Sequence, residues 1–212
     1  MYQYIPYDDL VDLGLPSGLL WAKGNIVSDG NGGYKIGNET DYGAYFSWGN
    51  IVPHFSANGS TFDNSYNWGS STSGSPYKDT PGASLSGDIP KNDTQHNAPL
   101  ALLGQPWRMP TYDEIQELNS GTDKQWATIN GVKGYKYMKK SDHSVYIFLP
   151  AAGYGSSSSL SNRGTVGRYW NAKIKNDDGK SWGISFNSSN SYPQSYYDRY
   201  LGLSIRAVIL PT

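Results

Sequence analysis

Fourteen consecutive residues near the C-terminus, Asn187–Tyr200 ("NSSNSYPQSYYDRY"), contain no Leu, Ile, Val, Met or Ala, yet carry four tyrosines. They run directly into "LGLSIRAVIL", where Leu203, Ile205, Ala207 and Ile209 alternate with Ser204, Arg206 and Val208. That alternation predicts a core strand at the end of the chain. A buried segment without aliphatics would have to satisfy every amide and hydroxyl internally, at roughly 1–3 kcal/mol for each one left unpaired. The tyrosine-rich stretch is therefore expected as a polar surface loop held by the last strand. Tyr196 and Tyr197 are adjacent, so an extended backbone points them to opposite faces and leaves at least one outward.

The rest of the chain is also poor in helix signals. Glu39, Glu114 and Glu117 are the only glutamates among 212 residues, whereas Gly (25) and Tyr (18) are abundant. Strands, turns and long ordered loops draw on such residues. Aromatics, at 14%, can build a core where aliphatics are few. "VDLGLPSGLLWAKGNI" predicts a strand pair turning at Pro16-Ser17-Gly18, and Asn31-Gly32 marks a second turn. Residues from about 50 to 91, rich in Ser, Gly, Asn and Pro, predict an irregular insertion. Phe62, Tyr66, Trp68 and Tyr77 should pin it to the body.

Two helices are expected. One lies in "NDTQHNAPLALLG", over Asp93–Leu103, with Asn97 or Asp93 as cap and Gly104 as its end. The other, Thr111–Leu118, opens on a Thr111/Glu114 capping box. Beyond it, "GYKYMKK" and "VYIFLP" predict a hairpin turning at Ser141-Asp142-His143-Ser144. "GRYWNAKIK" and "KSWGISF" predict further strands. No repeat or boundary divides the chain, so residues 1–212 are expected as one domain.

Chemical motifs are scarce. His54, His96 and His143 are scattered rather than at metal-ligand spacing, and neither a phosphate-binding glycine loop nor an EF-hand run is present. Without cysteine, disulfides and thiolate catalysis are excluded. No cofactor, catalytic metal or enzymatic activity is expected. A formal net charge of −1 argues against a nucleic-acid partner. No apolar run approaches the roughly 20 residues that cross a bilayer, and "MYQYIPYDDL" does not read as a secretory leader.

Several segments occur in a telling order: "VDLGLPSGLLWA", "YGAYFSWGN", "LGQPWRMPTYDEIQEL", "NGVKGYKYM", "IFLPAAGYG", "GRYWNA", "SFNSSN" and "YLGLSIRAVI". Together they resemble the Fibrobacter succinogenes major paralogous domain family, which is related to the C-type lectin-like fold and to the formylglycine-generating enzymes. The resemblance implies an α+β, C-type lectin-like fold with two helices, antiparallel sheets and long ordered loops. It makes Trp107, Arg108, Trp170 and Arg206 framework residues. That fold also serves as the variable protein of diversity-generating retroelements, whose altered codons cluster near the C-terminus. The cysteine-dependent activity of the enzyme relatives does not carry over. Trp170-Asn171-Ala172 has alanine where a calcium-binding lectin needs a carboxylate.

Function is expected from exposed Tyr, Ser, Asn and Gly, the residues of adaptable binding loops. The contact candidates are Arg168, Asn171, Lys173, Asn190, Tyr192, Gln194, Tyr196, Tyr197, Asp198 and Tyr200, converging on one exposed face. The expected partner is a protein or glycan receptor. The expected setting is extracellular, on a cell surface or a virion, without membrane insertion. A structural or assembly subunit of a surface structure is the alternative.

Overall fold

A computed structural model describes residues 7–54, 66–74, 77–175 and 179–211. Its architecture is α+β, dominated by antiparallel sheets, with two α-helices among the described residues. The first sheet joins the two ends of the chain. Strands β1 (Leu10–Asp12) and β13 (Val208–Ile209) both pair with β2 (Leu20–Ala22) between them. The expected turn at Pro16-Ser17-Gly18 is present, and Glu117 accepts from the Ser17 N–H at 2.9 Å. Strands β3 (Ile26–Ser28) and β4 (Tyr34–Ile36) form a hairpin. Asp29 closes its turn by accepting from the N–H groups of Asn31 and Gly33.

Of the insertion, Phe62 lies outside the described residues. Trp68 and Tyr77 are buried, and the Tyr77 hydroxyl donates to the Trp48 carbonyl at 2.8 Å. Ring packing thus ties a segment of loops and short 3-10 turns to the body.

Helix α1 spans Ala98–Leu103 rather than starting at Asp93. The Asp93 carboxylate instead accepts from the Gln95 and His96 N–H groups and closes a preceding turn. Asn97 occupies the N-cap position, but its side chain bridges outward, donating to Pro90 O and accepting from Met109 N. Helix α2 spans Tyr112–Gly121 and has both halves of the Thr111/Glu114 capping box. Ile115 and Leu118, three apart, form its buried face.

Next comes a meander of β5 (Thr122–Ile129), β6 (Val132–Lys139) and β7 (Asp142–Pro150). Strand β5 is not expected from the sequence, because its residues, half of them exposed, show no apolar alternation. Its signal is Asn130-Gly131, both at positive φ (47° and 80°), a pair suited to a tight hairpin. The β6–β7 turn falls at Lys140-Ser141, not Ser141–Ser144. A register shift after Met138 places Asp142 opposite Lys139, so the polar residues belong to β7.

Short strands β8 (Tyr154–Ser156) and β9 (Ser159–Ser161) precede the last sheet. That sheet consists of β10 (Val166–Lys175), β11 (Lys180–Asn187) and β12 (Ser191–Asp198), with β12 at its edge. The tyrosine-rich stretch is thus largely an ordered strand rather than a loop.

The C-terminal segment departs from expectation in another way. Residues 201–209 are all buried, but only Val208–Ile209 form a strand. Its other residues bridge singly: Gly202 to Gly155, Leu203 to Phe46, Ser204 to Tyr169. The segment threads between two hydrophobic clusters. Leu203, Ile205, Ala207 and Ile209 join one with Trp48 and Trp170; Val208 joins the other with Trp21, Tyr169, Ile184 and Phe186. Arg206, 1% exposed, crosses this interior. It donates to the carbonyls of Ala22, Lys23 and Phe148 and to Asn25 Oδ1, which replaces the water a buried guanidinium loses.

Candidate binding surface on the C-terminal sheet

The two hydrophobic clusters sandwich β10. Its adjacent residues Tyr169 and Trp170 point into different clusters, so this strand is buried on both faces. Burial fades toward β12, where Tyr192 and Tyr196 are 45% and 48% exposed. The predicted contact residues therefore do not converge on a single face.

One group gathers beside α2. Tyr196 lies opposite Trp182 in the β11–β12 register, with ring centroids 5.5 Å apart. Trp182 meets Tyr112 of α2 edge-on at 5.3 Å. Lys173 sits 4.5 Å above the Tyr112 ring and Lys175 4.3 Å above the Tyr196 ring. The outcome is a half-exposed line of three aromatic rings with an ammonium near each end, each contact favourable at exposed sites by roughly 0.5–1 kcal/mol. Gln194 reaches Gln116 of α2 at 3.4 Å, and Gln116 donates to the Pro193 carbonyl at 2.9 Å, fastening the edge strand to the helix. Trp182 and Tyr112 were not among the predicted residues. Their signal was faint: period-two spacing sets Trp182 on the side of Ile184, but only the pairing to β12 brings it to Tyr196.

A second group lies on the opposite face. The Arg168 guanidinium is sandwiched between Tyr154 at 3.8 Å and Tyr197 at 4.4 Å. Tyr197 then packs edge-on against buried Trp170 at 6.2 Å. Tyr197 is half-buried and Tyr200 packs on the same cluster. Two further candidates are placed elsewhere. Asn171 is 0% exposed and cannot line a surface. Its Oδ1 accepts from the Lys173 N–H at 2.9 Å, within the irregular stretch of β10 between Trp170 and Ile174. Asn190 is exposed, but in the turn before β12, where its Oδ1 accepts from the Ser191 N–H.

Asp198 at the end of β12 and the following Arg199 and Tyr200 line an open cleft of about 600 Å3, together with Gly179, whose carbonyl accepts from the Arg199 N–H, and with Ser70–Ser73 and Ala83. Burial, then the neighbouring Asp198 carboxylate, pushes the Tyr200 phenol above its ordinary pKa. The histidines lie apart and have different neighbours: His54 stacks on Tyr66, His96 meets Asp93 and His143 meets Asp123. Among the described residues, no group of three or more His, Asp or Glu is placed to hold a metal ion. None of the described helices is long and apolar enough to cross a membrane.

An α+β protein of antiparallel sheets, with an aromatic and cationic edge on its C-terminal sheet, is the class that fold and surface define. Residues 101–208 match the family described as "Domain of unknown function (DUF8237)", and the chain belongs to that family. The match takes in α2, the meander and the whole of β10–β12. No curated protein and no solved structure matches the chain.

Proposed function

We propose that this is a non-enzymatic recognition domain of C-type lectin-like fold that binds a cell-surface receptor through the β12 edge. The observation that carries this reading is the Tyr112–Trp182–Tyr196 line with Lys173 and Lys175. Large, rigid aromatic area held half-exposed at a strand edge, with polar neighbours, is the composition of binding surfaces. The adjacency of β1, β2 and β13, which brings both chain ends into one sheet, supports the lectin-like reading. The order of the framework motifs supports membership of the Fibrobacter succinogenes major paralogous domain family and a role as a retroelement variable protein. The setting that follows is a cell surface or a virion.

Fluorescently labelled chain is applied to a panel of intact bacterial cells and scored by flow cytometry. At least one cell type should retain it. Tyr196→Ala should then lose roughly tenfold or more in apparent affinity, with thermal stability nearly unchanged. Tyr197→Ala should instead cost stability, about 1–2 kcal/mol, because its ring packs on Trp170 and Arg168. Undiminished cell binding by the Tyr196 variant would refute the β12-edge reading. For the retroelement role, the decisive observation is genomic: a reverse transcriptase gene and a template repeat matching the 3′ end of this gene.

A further inference from the structure

We propose that the cleft between Asp198–Tyr200 and the Ser70–Ser73 loop is a subsite for a neutral terminal sugar of a glycan. The proposal rests on the recognition reading and names a ligand class for the far end of the same strand. The cleft combines hydrogen-bonding groups that the fold itself does not use. The Asp198 carboxylate is half-buried yet makes no hydrogen bond or ion pair with any described residue, and the same holds for the hydroxyls of Ser70, Ser71 and Ser73. Only Thr72 in that loop is committed, its hydroxyl donating to the Gly179 carbonyl at 2.9 Å and pinning the loop across the cleft. Arg199, 5% exposed, spends Nη1 on the Leu85 carbonyl at 3.0 Å, while its buried Nε finds no acceptor among the described residues. A buried donor left unpaired is costly, so an oxygen that reached Nε from the cleft would be favoured.

The ligand class follows from complementarity. Sugar hydroxyls donate and accept at once, so serine hydroxyls and one carboxylate suit them, and the carboxylate bonds are charge-assisted. Tyr200 is the one aromatic residue of the described lining, and an aromatic ring is the kind of apolar surface that packs on the C–H face of a pyranose. About 600 Å3 lies within the size range of small-ligand sites. An anionic sugar would meet the Asp198 charge. A protein side-chain anchor seeks a desolvated apolar pocket, whereas Ala83 is the one aliphatic residue among the described lining.

The full chain is tested on an array of immobilised neutral glycans ending in galactose, glucose, mannose, fucose or N-acetylglucosamine. Retention by at least one terminus is expected, with competition by the matching free monosaccharide. Amide shifts in the labelled protein should concentrate at residues 70–73, 179 and 198–200. Asp198→Asn should weaken this binding about tenfold or more. Should Asp198→Asn fail to fold, the Ser71→Ala/Ser73→Ala double variant replaces it, with a loss of roughly fivefold or more expected. The proposal is overturned if no neutral glycan is retained, if the shifts map elsewhere, or if affinity survives in the folded cleft variants. Cell binding that still depends on Tyr196 would then leave the recognition reading standing; loss of both would remove both.

Discussion

Glu114 illustrates how much one side chain holds together here. Its carboxylate accepts from Arg108 at 2.7 and 2.8 Å, a forked pair, and from the Thr111 N–H at 2.8 Å. Burial alone would raise its pKa; the Arg108 bonds and the Thr111 N–H outweigh that and hold it below the ordinary range. A carboxylate depressed in the fold stabilises it above its unfolded pKa. That contribution should be lost as pH falls from about 4.5 through the lower folded value. Glu114→Gln removes half the fork and leaves the buried Arg108 guanidinium without its counter-charge, so a loss of about 3–5 kcal/mol is expected in urea titrations at neutral pH. Most of that difference should vanish once the wild-type carboxylate is itself protonated. Equal stability of the two proteins at neutral pH would show that the pair contributes nothing.

At the level of elements, the informative contact joins the strand end to the insertion. Arg199 follows β12 directly, stacks over Trp48 at 5.3 Å and donates to the Leu85 carbonyl, while Tyr77 bonds the Trp48 carbonyl. The short 3-10 turns Tyr77–Asp79 and Pro81–Ser84 are held by these tertiary contacts, since turns this short have little stability alone. Arg199→Met should therefore free this segment first. Hydrogen exchange at Lys78, Thr80, Ala83 and Leu85 should accelerate, while the β5–β7 meander keeps its protection. Uniform acceleration across both regions would mean that Arg199 supports the whole fold rather than one segment.

For the whole molecule, the unusual core has a consequence at alkaline pH. Tyr45, Tyr77, Tyr137 and Tyr169 are buried, and burial pushes each phenol up, Tyr45 to about 12 against the opposing pull of Arg163. A phenol raised in the fold ionises first in the unfolded chain. Stability is thus intact below about pH 10 and lost as pH rises through the folded value. Tyr45 alone accounts for on the order of 3 kcal/mol over that interval. Arg206 works in the opposite sense, burial having lowered it to about 10, but it is one group against four. Melting temperature should fall steeply between pH 10 and 12, with phenolate absorbance rising together with loss of structure. Smooth titration of every tyrosine near pH 10 in a still-folded protein would contradict this.

Local signals in the sequence were sufficient wherever a few neighbouring residues decide the geometry. The Thr111/Glu114 capping box, the turns at Pro16-Ser17-Gly18 and Asn31-Gly32, and the buried run to Ile209 all follow from backbone stereochemistry and short-range pairing. The same logic could have found β5 through Asn130-Gly131. The tertiary structure alone decided what depends on a distant partner. Strand β12 needs no aliphatics because main-chain bonds to β11 hold it, so its composition suggested a loop where a strand stands. Asn171 reads as polar and available, yet β10 lies between two hydrophobic clusters that bury both its faces. Trp182 met Tyr196, and Arg199 met Leu85 across more than a hundred residues, only when the sheet closed. Periodicity reports how a segment divides its own faces; what each face packs against is set by long-range packing, which no local window contains.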